Sequence, residues 1–281
     1  MPKYSQVFLK DVRMCERISS VLRPEDFCSA VEIGPGRGAL TEFLHPLWGD
    51  KLSAVEIDPL MTARIKERFP ELKIVNSDFL KSDLENDSPG GSASLDNSFA
   101  GPCPFEASGK GAGAKEDGKV AFIGNLPYEC STAILMKVLA FSRLGAAVFM
   151  FQREVARKIT AETGDSDYGY LSVAVQAQSE AALLADVPAG SFSPVPEVDS
   201  SVLVFKPRMM FTSIGHREEF LGFVKNAFSH RRKTLMNSLS MGRGMDKAET
   251  AALIKTAGFD PGLRPQNLSV EDYLKLSAAF G

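Results

Sequence analysis

A glycine-rich turn between an apolar run and a helical pattern is the feature that most restricts the fold of this chain. The turn lies in the stretch "VEIGPGRGALT" (31–41), and similar apolar runs alternate with helical patterns through the first two thirds of the sequence. Because glycine lacks a Cβ atom, such a turn lets the backbone approach a ligand closely. The alternation predicts an α/β fold built on a mostly parallel sheet.

Seven apolar segments are predicted to be strands, and three segments between them are predicted to be helices. The predicted strands are 29–33, 52–57, 72–75, 120–123, 146–151, 170–178 and 200–205. The predicted helices are 39–47, 60–69 and 131–141. Apolar runs without polar alternation are typical of strands that are covered on both faces. We expect the last strands to be antiparallel.

The pattern becomes helical after residue 207. Apolar residues recur there at spacings of three and four, at Phe220, Phe223, Val224, Ala227 and Phe228. Ser269 followed by Asp272 is typical of an N-terminal helix cap. We therefore predict a first, α/β domain over residues 1–206 and a smaller α-helical domain over 207–281.

Residues 88–118 are predicted to be a low-complexity surface insertion in the first domain. Of these 31 residues, 20 are Gly, Ser, Pro or Ala, and such residues cannot build a core. We expect no active-site residue within this segment.

The net charge of −3 hides two regions of opposite charge. Residues 206–281 contain 12 Lys or Arg against 7 Asp or Glu, whereas residues 76–118 contain 3 against 8. The densest basic run, "HRRKTL" (230–235), lies within a helical pattern. We predict that this run contacts an RNA backbone, and the alternative is a solvated helix face.

Cysteine and histidine show no pattern typical of a redox or metal site. The 4 cysteines and 3 histidines are dispersed, without a C-x-x-C pair. No apolar run approaches the ~20 residues of a membrane span, and the start "MPKYSQVFLKD" has no apolar signal-peptide segment. We expect a cytoplasmic monomer that uses neither a metal nor a membrane.

An acidic residue follows the glycine turn at a distance typical of nucleoside-binding sheets. Glu56 lies 22 residues after Gly34 at the end of the second predicted strand, where a carboxylate can bind both ribose hydroxyls. Pro35 removes an N–H donor that a pyrophosphate would need, so S-adenosylmethionine is the predicted cofactor. Asp78 is a candidate acceptor for its adenine amino group. The alternative for the glycine-rich turn is a plain connection between strand and helix. The alternative for Asp78 is a loop or helix-cap aspartate.

The fourth predicted strand ends in "NLPY" (125–128), which offers the groups needed to hold an adenine. An adenine amino group is a poor nucleophile because its lone pair is delocalised into the ring. Acceptors at the Asn125 side chain and at the Leu126 or Pro127 carbonyl would localise that lone pair toward a methyl group. Tyr128 offers a stacking face and Phe192 a second one, although a core position is the alternative for Phe192.

Nine motifs, in order along nearly the whole chain, resemble those of the KsgA family of ribosomal RNA adenine dimethyltransferases. They are "SQVFL", "VEIGPGRGALT", "VEID", "SDFL", "NLPYECS", "FQREVARKI", "YGYLSV", "FSPVPEVDSS" and "HRRKTLMNSL". The resemblance implies a Rossmann-like methyltransferase domain with a helical C-terminal domain. It also implies dimethylation of N6 of two adjacent adenosines in a hairpin loop near the 3′ end of small-subunit rRNA, with that rRNA or the assembling subunit as partner.

The motif match also implies roles for individual residues. The implied cofactor contacts are Val7, Leu9, Gly34, Gly36, Glu56, Ile57, Asp78, Phe79 and Asn125. The implied catalytic and base-contacting residues are Asn125, Leu126, Pro127, Tyr128 and Phe192. The basic residues predicted to bind RNA are Arg153, Arg157, Arg231, Arg232 and Lys233.

The sequence departs from the family pattern in three places. Val7 stands where the family usually has Asn, so a side-chain hydrogen bond to the cofactor is lost there while a backbone contact can persist. Glu197 stands where Lys is common, and the 88–118 insertion is longer than the usual connection. Three other functions stay open: a large-subunit rRNA adenine methyltransferase of the antibiotic-resistance type, a small-molecule methyltransferase, and a non-catalytic ribosome-assembly factor.

Overall fold

The computed structural model of the protein describes residues 7–82, 84, 118–211 and 213–281. Contacts divide the chain into two compact units. The first contains the described residues of Met1–Ala156 together with Ala182–Pro207, and the second contains Arg157–Ala181 together with Arg208–Gly281. The second unit thus includes a segment that precedes the predicted boundary at 206/207. The predicted insertion lies outside the described residues, except for Gly118.

The described residues form nine strands, seven of which build one sheet in the order β4-β3-β2-β5-β6-β9-β7. Neighbours from β4 to β6 pair in parallel, and β9 is antiparallel to β6. The strands β1 and β8 form a separate antiparallel pair. The strands are β1 Phe8–Leu9, β2 Ser29–Ile33, β3 Leu52–Glu56, β4 Lys73–Asn76, β5 Val120–Asn125, β6 Leu144–Gln152, β7 Ser179–Val187, β8 Phe192–Ser193 and β9 Ser200–Pro207.

The order of the strands reverses between β2 and β5, which are neighbours with Ala30 opposite Ala121. From this point, β3 and β4 continue to one side and β6 to the other. The loops that leave β2 and β5 therefore diverge and open a crevice at the carboxyl ends of the strands. All five residues of β3 and the first five of β5 are buried, as expected for strands covered on both faces.

Ten α-helices lie in the described part of the chain, and the three helices predicted in the first domain are confirmed within two residues at each end. Helix α3 shows why: Pro59 occupies its first position, and the Asp58 carboxylate accepts a hydrogen bond from the Leu60 N–H at 2.9 Å. The helices are α1 Val12–Ser19, α2 Thr41–Trp48, α3 Pro59–Arg68, α4 Ser131–Leu139, α5 Arg153–Thr160, α6 Tyr170–Gln176, α7 Ile214–Phe228, α8 Leu235–Arg243, α9 Lys247–Thr256 and α10 Val270–Ala278.

The predicted strand over 170–178 is wrong, because the chain forms helix α6 there. The Gly169 N–H donates to the Ser172 hydroxyl at 3.0 Å, so the first turn of the helix is capped. Four consecutive residues, from Ser172 to Val175, are buried. A short segment that is apolar all round has no periodicity to separate helix from strand, and its packing overrides the strand preference of its valines.

The second unit is a helical bundle with its own core. Buried residues at the predicted spacing on α7, among them Phe220 and Val224, pack with Tyr273 of α10. The predicted cap of α10 is confirmed: the Asp272 N–H donates to the Ser269 hydroxyl at 3.1 Å, and the Ser269 N–H donates to the Asp272 carboxylate at 2.9 Å. None of the described helices combines the length and the apolar character that a membrane span requires.

Candidate active site

A cleft of about 220 Å³ lies at the carboxyl ends of β2, β3 and β5 and beside the loop after β4. Because parallel strands end at the same edge of a sheet, residues far apart in sequence meet there. The predicted residues that line it are Val7, Leu9, Gly34, Gly36, Glu56, Ile57, Asp78, Phe79, Asn125, Leu126, Pro127 and Tyr128. All nine predicted cofactor contacts are therefore brought together.

The glycine turn leaves room for a ligand on one side and packs tightly on the other. Gly34 and Gly36 have positive φ angles of 67° and 56°, which residues with a Cβ atom rarely adopt. A Cβ atom on Gly34 would meet nothing within 4 Å, whereas one on Gly36 would lie 2.9 Å from the Phe8 ring. The Gly34 N–H donates to the Val55 carbonyl at 2.8 Å, so the turn is bonded to the end of β3.

Glu56 is buried at the end of β3, with 4% of its surface exposed. One carboxylate oxygen accepts a hydrogen bond from the Gly36 N–H and the other from the Asp58 N–H, both at 2.9 Å. Burial raises the pKa of this carboxyl group, and the two N–H donors oppose that effect. Each oxygen keeps a second lone pair. The oriented carboxylate therefore suits two hydroxyl donors, as the predicted ribose contact requires.

Glu32 is a second buried carboxyl group in the cleft, and it was not among the predicted residues. It is 1% exposed, and the Thr41 hydroxyl donates to it at 2.7 Å. Burial raises the pKa of Glu32 to about 8, and the nearby Glu56 charge adds to the effect. This group is therefore mostly protonated near neutral pH. A lone carboxylate inside the apolar run "AVEIG" was the sequence signal that could have identified it.

Asp78 begins the short 3-10 helix Phe79–Lys81 that follows β4. Its Oδ1 atom accepts a hydrogen bond from the Leu80 N–H at 3.0 Å, so the helix-cap alternative describes one of its contacts. Its Oδ2 atom lies 3.9 Å from the Lys81 Nζ atom. Since Asp78 also lines the cleft, a cap role and a ligand contact are compatible. The contact with the adenine amino group stays a prediction.

Asn125, at the end of β5, is oriented by the backbone of residue 7. Its Nδ2 atom donates to the Val7 carbonyl at 3.0 Å. This bond assigns the nitrogen end of the amide, so Oδ1 is the end that can accept from a ligand. The bond uses a main-chain atom of residue 7, and replacement of the family Asn by Val leaves it intact.

The two carbonyls proposed beside Asn125 differ in their partners. The Pro127 carbonyl accepts a hydrogen bond from the Cys130 N–H at 3.2 Å, at the start of α4. This bond turns the Pro127 carbonyl toward the helix and favours the Leu126 carbonyl as the second acceptor for a ligand.

The two predicted aromatic platforms have different environments. Tyr128 lines the cleft, and its hydroxyl shares a hydrogen bond of 2.9 Å with the Ser200 hydroxyl at the start of β9. Phe192 has 0% exposure, lies opposite Leu9 in the β1–β8 pair and belongs to the core of the first unit. Phe192 is not among the residues that line the cleft. The core alternative describes its placement, and a stacking role for Phe192 has no support here.

The predicted RNA-binding residues of α5 are of two kinds. The Arg153 guanidinium lies 3.0 Å from an Asp199 carboxylate oxygen and 3.7 Å from one of Asp186, so it forms ion pairs within the protein. Arg157 is exposed. Of these two residues, Arg157 is the one whose side chain is exposed, and its contact with RNA stays a prediction.

The basic segment, residues 230–233, does not lie inside a helix as predicted, because it forms the connection between α7 and α8. The Arg231 guanidinium donates to the Tyr168 carbonyl at 2.5 Å and also to the Ser166 carbonyl. Lys233 reaches the Met241 sulfur at 3.4 Å. Arg232 is exposed and, within the described residues, makes no hydrogen bond or ion pair. Side chains on a turn point in several directions, and this explains why Arg231 and Lys233 contact the protein while Arg232 does not.

Over the described ranges, no group of three or more His, Cys, Asp or Glu side chains is placed to hold a metal ion. The cleft instead combines an open glycine turn, an oriented buried carboxylate and an amide acceptor. These features are suited to an uncharged nucleoside group and an amine, since they offer backbone space and hydrogen-bond acceptors.

The sheet order, its reversal beside the glycine turn and the Asn-Leu-Pro-Tyr loop define a Rossmann-like methyltransferase with a helical C-terminal part. Solved structures share the fold. A dimethyladenosine transferase from Plasmodium falciparum has a TM-score of 0.70 and 23% identity, covering 96% of this chain and 95% of that one. The 23S rRNA methyltransferase ErmE has a TM-score of 0.65 and 25% identity, covering 97% and 98%.

The chain belongs to the ribosomal RNA adenine dimethylase family, whose sequence model matches residues 1–280. It is 34% identical over 282 residues to a Coxiella burnetii protein named ribosomal RNA small subunit methyltransferase A, covering 98% of this chain and 95% of the relative. A Geobacter metallireducens protein of the same name is 36% identical over 289 residues, covering 98% and 93%. The family resemblance predicted from the motifs is confirmed.

Proposed function

We propose that this protein uses S-adenosylmethionine to dimethylate N6 of two adjacent adenosines in the hairpin loop near the 3′ end of small-subunit rRNA. The observation that carries the proposal is the Asn125 amide, whose nitrogen donates to the Val7 carbonyl at 3.0 Å and whose oxygen is left to accept. The family relationship supports the same reaction and the same class of RNA.

The residues of the cleft fit the proposed cofactor. Glu56 can accept from both ribose hydroxyls, because each of its oxygens already has one N–H donor and keeps one lone pair. The open space beside Gly34 admits a ligand close to the backbone. Asp78 can accept from the adenine amino group. When bound, S-adenosylmethionine supplies a methyl group that is electrophilic because it is attached to a positively charged sulfur.

The chain activates the target amine by hydrogen bonding alone. The Asn125 Oδ1 atom and the Leu126 carbonyl accept from the two N–H bonds of the adenine amino group. This draws both hydrogens to one side and localises the nitrogen lone pair on the other, toward the methyl group. The proton can leave to water after transfer, so no side chain is needed as a general base.

Tyr128 supports the target base by stacking. Its ring is held through the hydrogen bond between its hydroxyl and Ser200. Stacking of a base on an aromatic side chain contributes about 1–3 kcal/mol. Extruding a base from its neighbours costs about a few kcal/mol, so one such contact can hold a base that is already unpaired in a hairpin loop.

The two main alternatives are separated by specific features. The structural likeness to a 23S rRNA methyltransferase keeps a large-subunit target open, but the more similar relatives are named for the small subunit. A non-catalytic assembly factor would not need the buried Glu56 and the oriented Asn125, and both are present.

The deciding experiment supplies the protein with S-adenosylmethionine carrying a labelled methyl group and with undermethylated small ribosomal subunits. We expect dimethyladenosine at two adjacent positions of the 3′ hairpin loop. Fully methylated subunits and the Asn125→Ala variant serve as controls without label. Label in large-subunit rRNA offered in parallel would support the first alternative. Binding of the cofactor without any transfer would support the second.

A further inference from the structure

Lys137, in the last turn of α4, donates into the loop that follows β4. Its Nζ atom lies 2.6 Å from the Phe79 carbonyl oxygen and 2.9 Å from that of Leu80. It also donates to the Ser82 carbonyl and lies 3.4 Å from the Ser82 hydroxyl. The ammonium group thus faces four oxygens of one short segment.

The carbonyls among these oxygens lie at the end of the 3-10 helix Phe79–Lys81, where carbonyls lack an N–H partner within the helix. The Ser82 hydroxyl also donates to the Phe79 carbonyl, at 2.7 Å. A cation at this end offsets both the missing hydrogen bonds and the partial negative charge. The ammonium also lies 5.3 Å from the centroid of the Phe79 ring, on a side chain that is 5% exposed. Lys137 therefore fixes the end of this helix and the ring that begins it.

The same helix begins at Asp78, so fixing its end also fixes Asp78. The N–H groups of Lys81 and Ser82 donate to the Asp78 carbonyl at 2.9 and 3.2 Å, and the Leu80 N–H donates to the Asp78 carboxylate. With the Phe79 and Leu80 carbonyls bonded to Lys137, both sides of the Phe79–Leu80 and Leu80–Lys81 peptides are engaged. The orientation of the Asp78 carboxylate in the cleft is therefore coupled to Lys137.

Helix α4 carries contacts to the other half of the cleft as well. At its start the Ser131 hydroxyl donates to the Tyr128 carbonyl at 3.2 Å, and Ile134, one turn before Lys137, lines the cleft. One rigid element thus bonds to the loop predicted to hold the target base and to the loop predicted to hold the adenine of the cofactor.

We propose that Lys137 is a positioning residue that holds the Asp78–Phe79 turn in the geometry needed to bind the adenosine part of the cofactor. This inference rests on the proposed function. In this proposal's mechanism Lys137 contacts neither reacting group and acts through the turn. Loss of its ammonium should weaken cofactor binding and raise the KM for S-adenosylmethionine, while kcat at saturating cofactor and RNA affinity stay near those of the wild type.

The test measures binding of S-adenosylhomocysteine by titration calorimetry, together with hydrogen exchange of the protein without ligand. Lys137→Met keeps the apolar stem and removes the donors. Without these charge-assisted hydrogen bonds the turn must be ordered by the ligand on binding, so we expect the Kd to rise about tenfold or more. Amide exchange should accelerate at residues 80–82 and not in β2 or β3. Lys66→Met, which removes an exposed lysine of α3, is the matched control and should change neither.

The possible outcomes distinguish the role of Lys137 from the proposed function. A folded Lys137→Met protein with a Kd within twofold of the wild type, or with unchanged exchange at 80–82, would overturn the role of Lys137. Failure of the wild type to bind S-adenosylhomocysteine would overturn the proposed function. If Lys137→Met does not fold, Lys137→Gln decides, because its amide can donate to two of the oxygens. A severalfold loss of affinity in that variant supports the proposal, and wild-type affinity refutes it.

Discussion

The cleft and the basic segment hold their ionisable groups in opposite ways. In the cleft, Glu32 and Glu56 are 1% and 4% exposed, and hydroxyl or backbone N–H donors fix their carboxyl groups. In the basic segment, Arg231 and Arg232 are exposed, and only the first donates to backbone carbonyls. A buried group acts through one geometry, so a change of a few atoms removes its effect. Surface cations act through a shared field in which each contributes modestly.

The largest effect is expected for Asn125→Ala. Losing one preorganised hydrogen-bonding group at a reacting atom typically lowers kcat by about 10²–10³. Removal of the amide also leaves the Val7 carbonyl without this donor. Transfer to undermethylated subunits should fall by this factor, while RNA affinity in a filter-binding assay stays nearly unchanged. An equal loss of RNA affinity would remove the distinction between the cleft and the RNA-binding surface.

Glu56→Gln should weaken cofactor binding and leave RNA binding unchanged. The amide nitrogen cannot accept from a ribose hydroxyl or from the Gly36 N–H, and hydrogen bonds to a charged group contribute about 1.5–3 kcal/mol. We expect the Kd for S-adenosylhomocysteine to rise about tenfold to hundredfold by calorimetry. Glu67→Gln, on the exposed side of α3, is the matched control. Unchanged affinity would mean that the ribose lies elsewhere.

The effect of replacing an arginine should depend on whether its side chain bonds within the protein. Arg157→Ala and Arg232→Ala should each weaken RNA binding severalfold, without a change in Tm. Each should also reduce the salt slope of log K by about 0.7–1. Arg231→Ala should lower Tm, because it removes the hydrogen bonds to the carbonyls of residues 166 and 168. An unchanged salt slope in both Arg157→Ala and Arg232→Ala would show that RNA binds another surface.

The smallest effect concerns pH and Glu32. Its pKa in the folded protein, about 8, lies above the ordinary value of 4.5. The folded state therefore keeps the proton to higher pH than the unfolded chain. As a result, the free energy of unfolding decreases as pH rises from about 4.5 to 8. Glu32→Gln should match the wild-type Tm below about pH 4, where both states hold the proton, and exceed it by at least several degrees at pH 8.5. A constant difference in Tm across this range would contradict the raised pKa.

Much of the cleft could be predicted from sequence because parallel sheets place strand ends at one edge. Gly34, Glu56, Asp78 and Asn125 each follow or end a strand, and topology alone brings them together. Phe192 illustrates the limit. Its motif resembles the family, yet its side chain is buried opposite Leu9. Whether an aromatic ring faces a cleft or a core depends on packing between distant segments.

The partners of surface charges are harder still to predict. Arg153 pairs with aspartates 33 and 46 residues further along the chain, and Arg231 bonds to a loop more than sixty residues earlier. No local pattern encodes such distances. The helix at Tyr170–Gln176 was missed for a related reason, since burial of four consecutive residues erases the periodicity on which sequence prediction depends.

The bond between Asn125 and residue 7 determines which sequence changes at that position are compatible with the cleft. A peptide carbonyl is present whatever side chain is attached to it, so the identity of residue 7 is released from selection for this contact. What must be preserved is the path of the chain at that point, which the β1–β8 pairing sets. Variation at position 7 among relatives therefore need not signal a loss of activity, whereas a shift in the register of that pairing would.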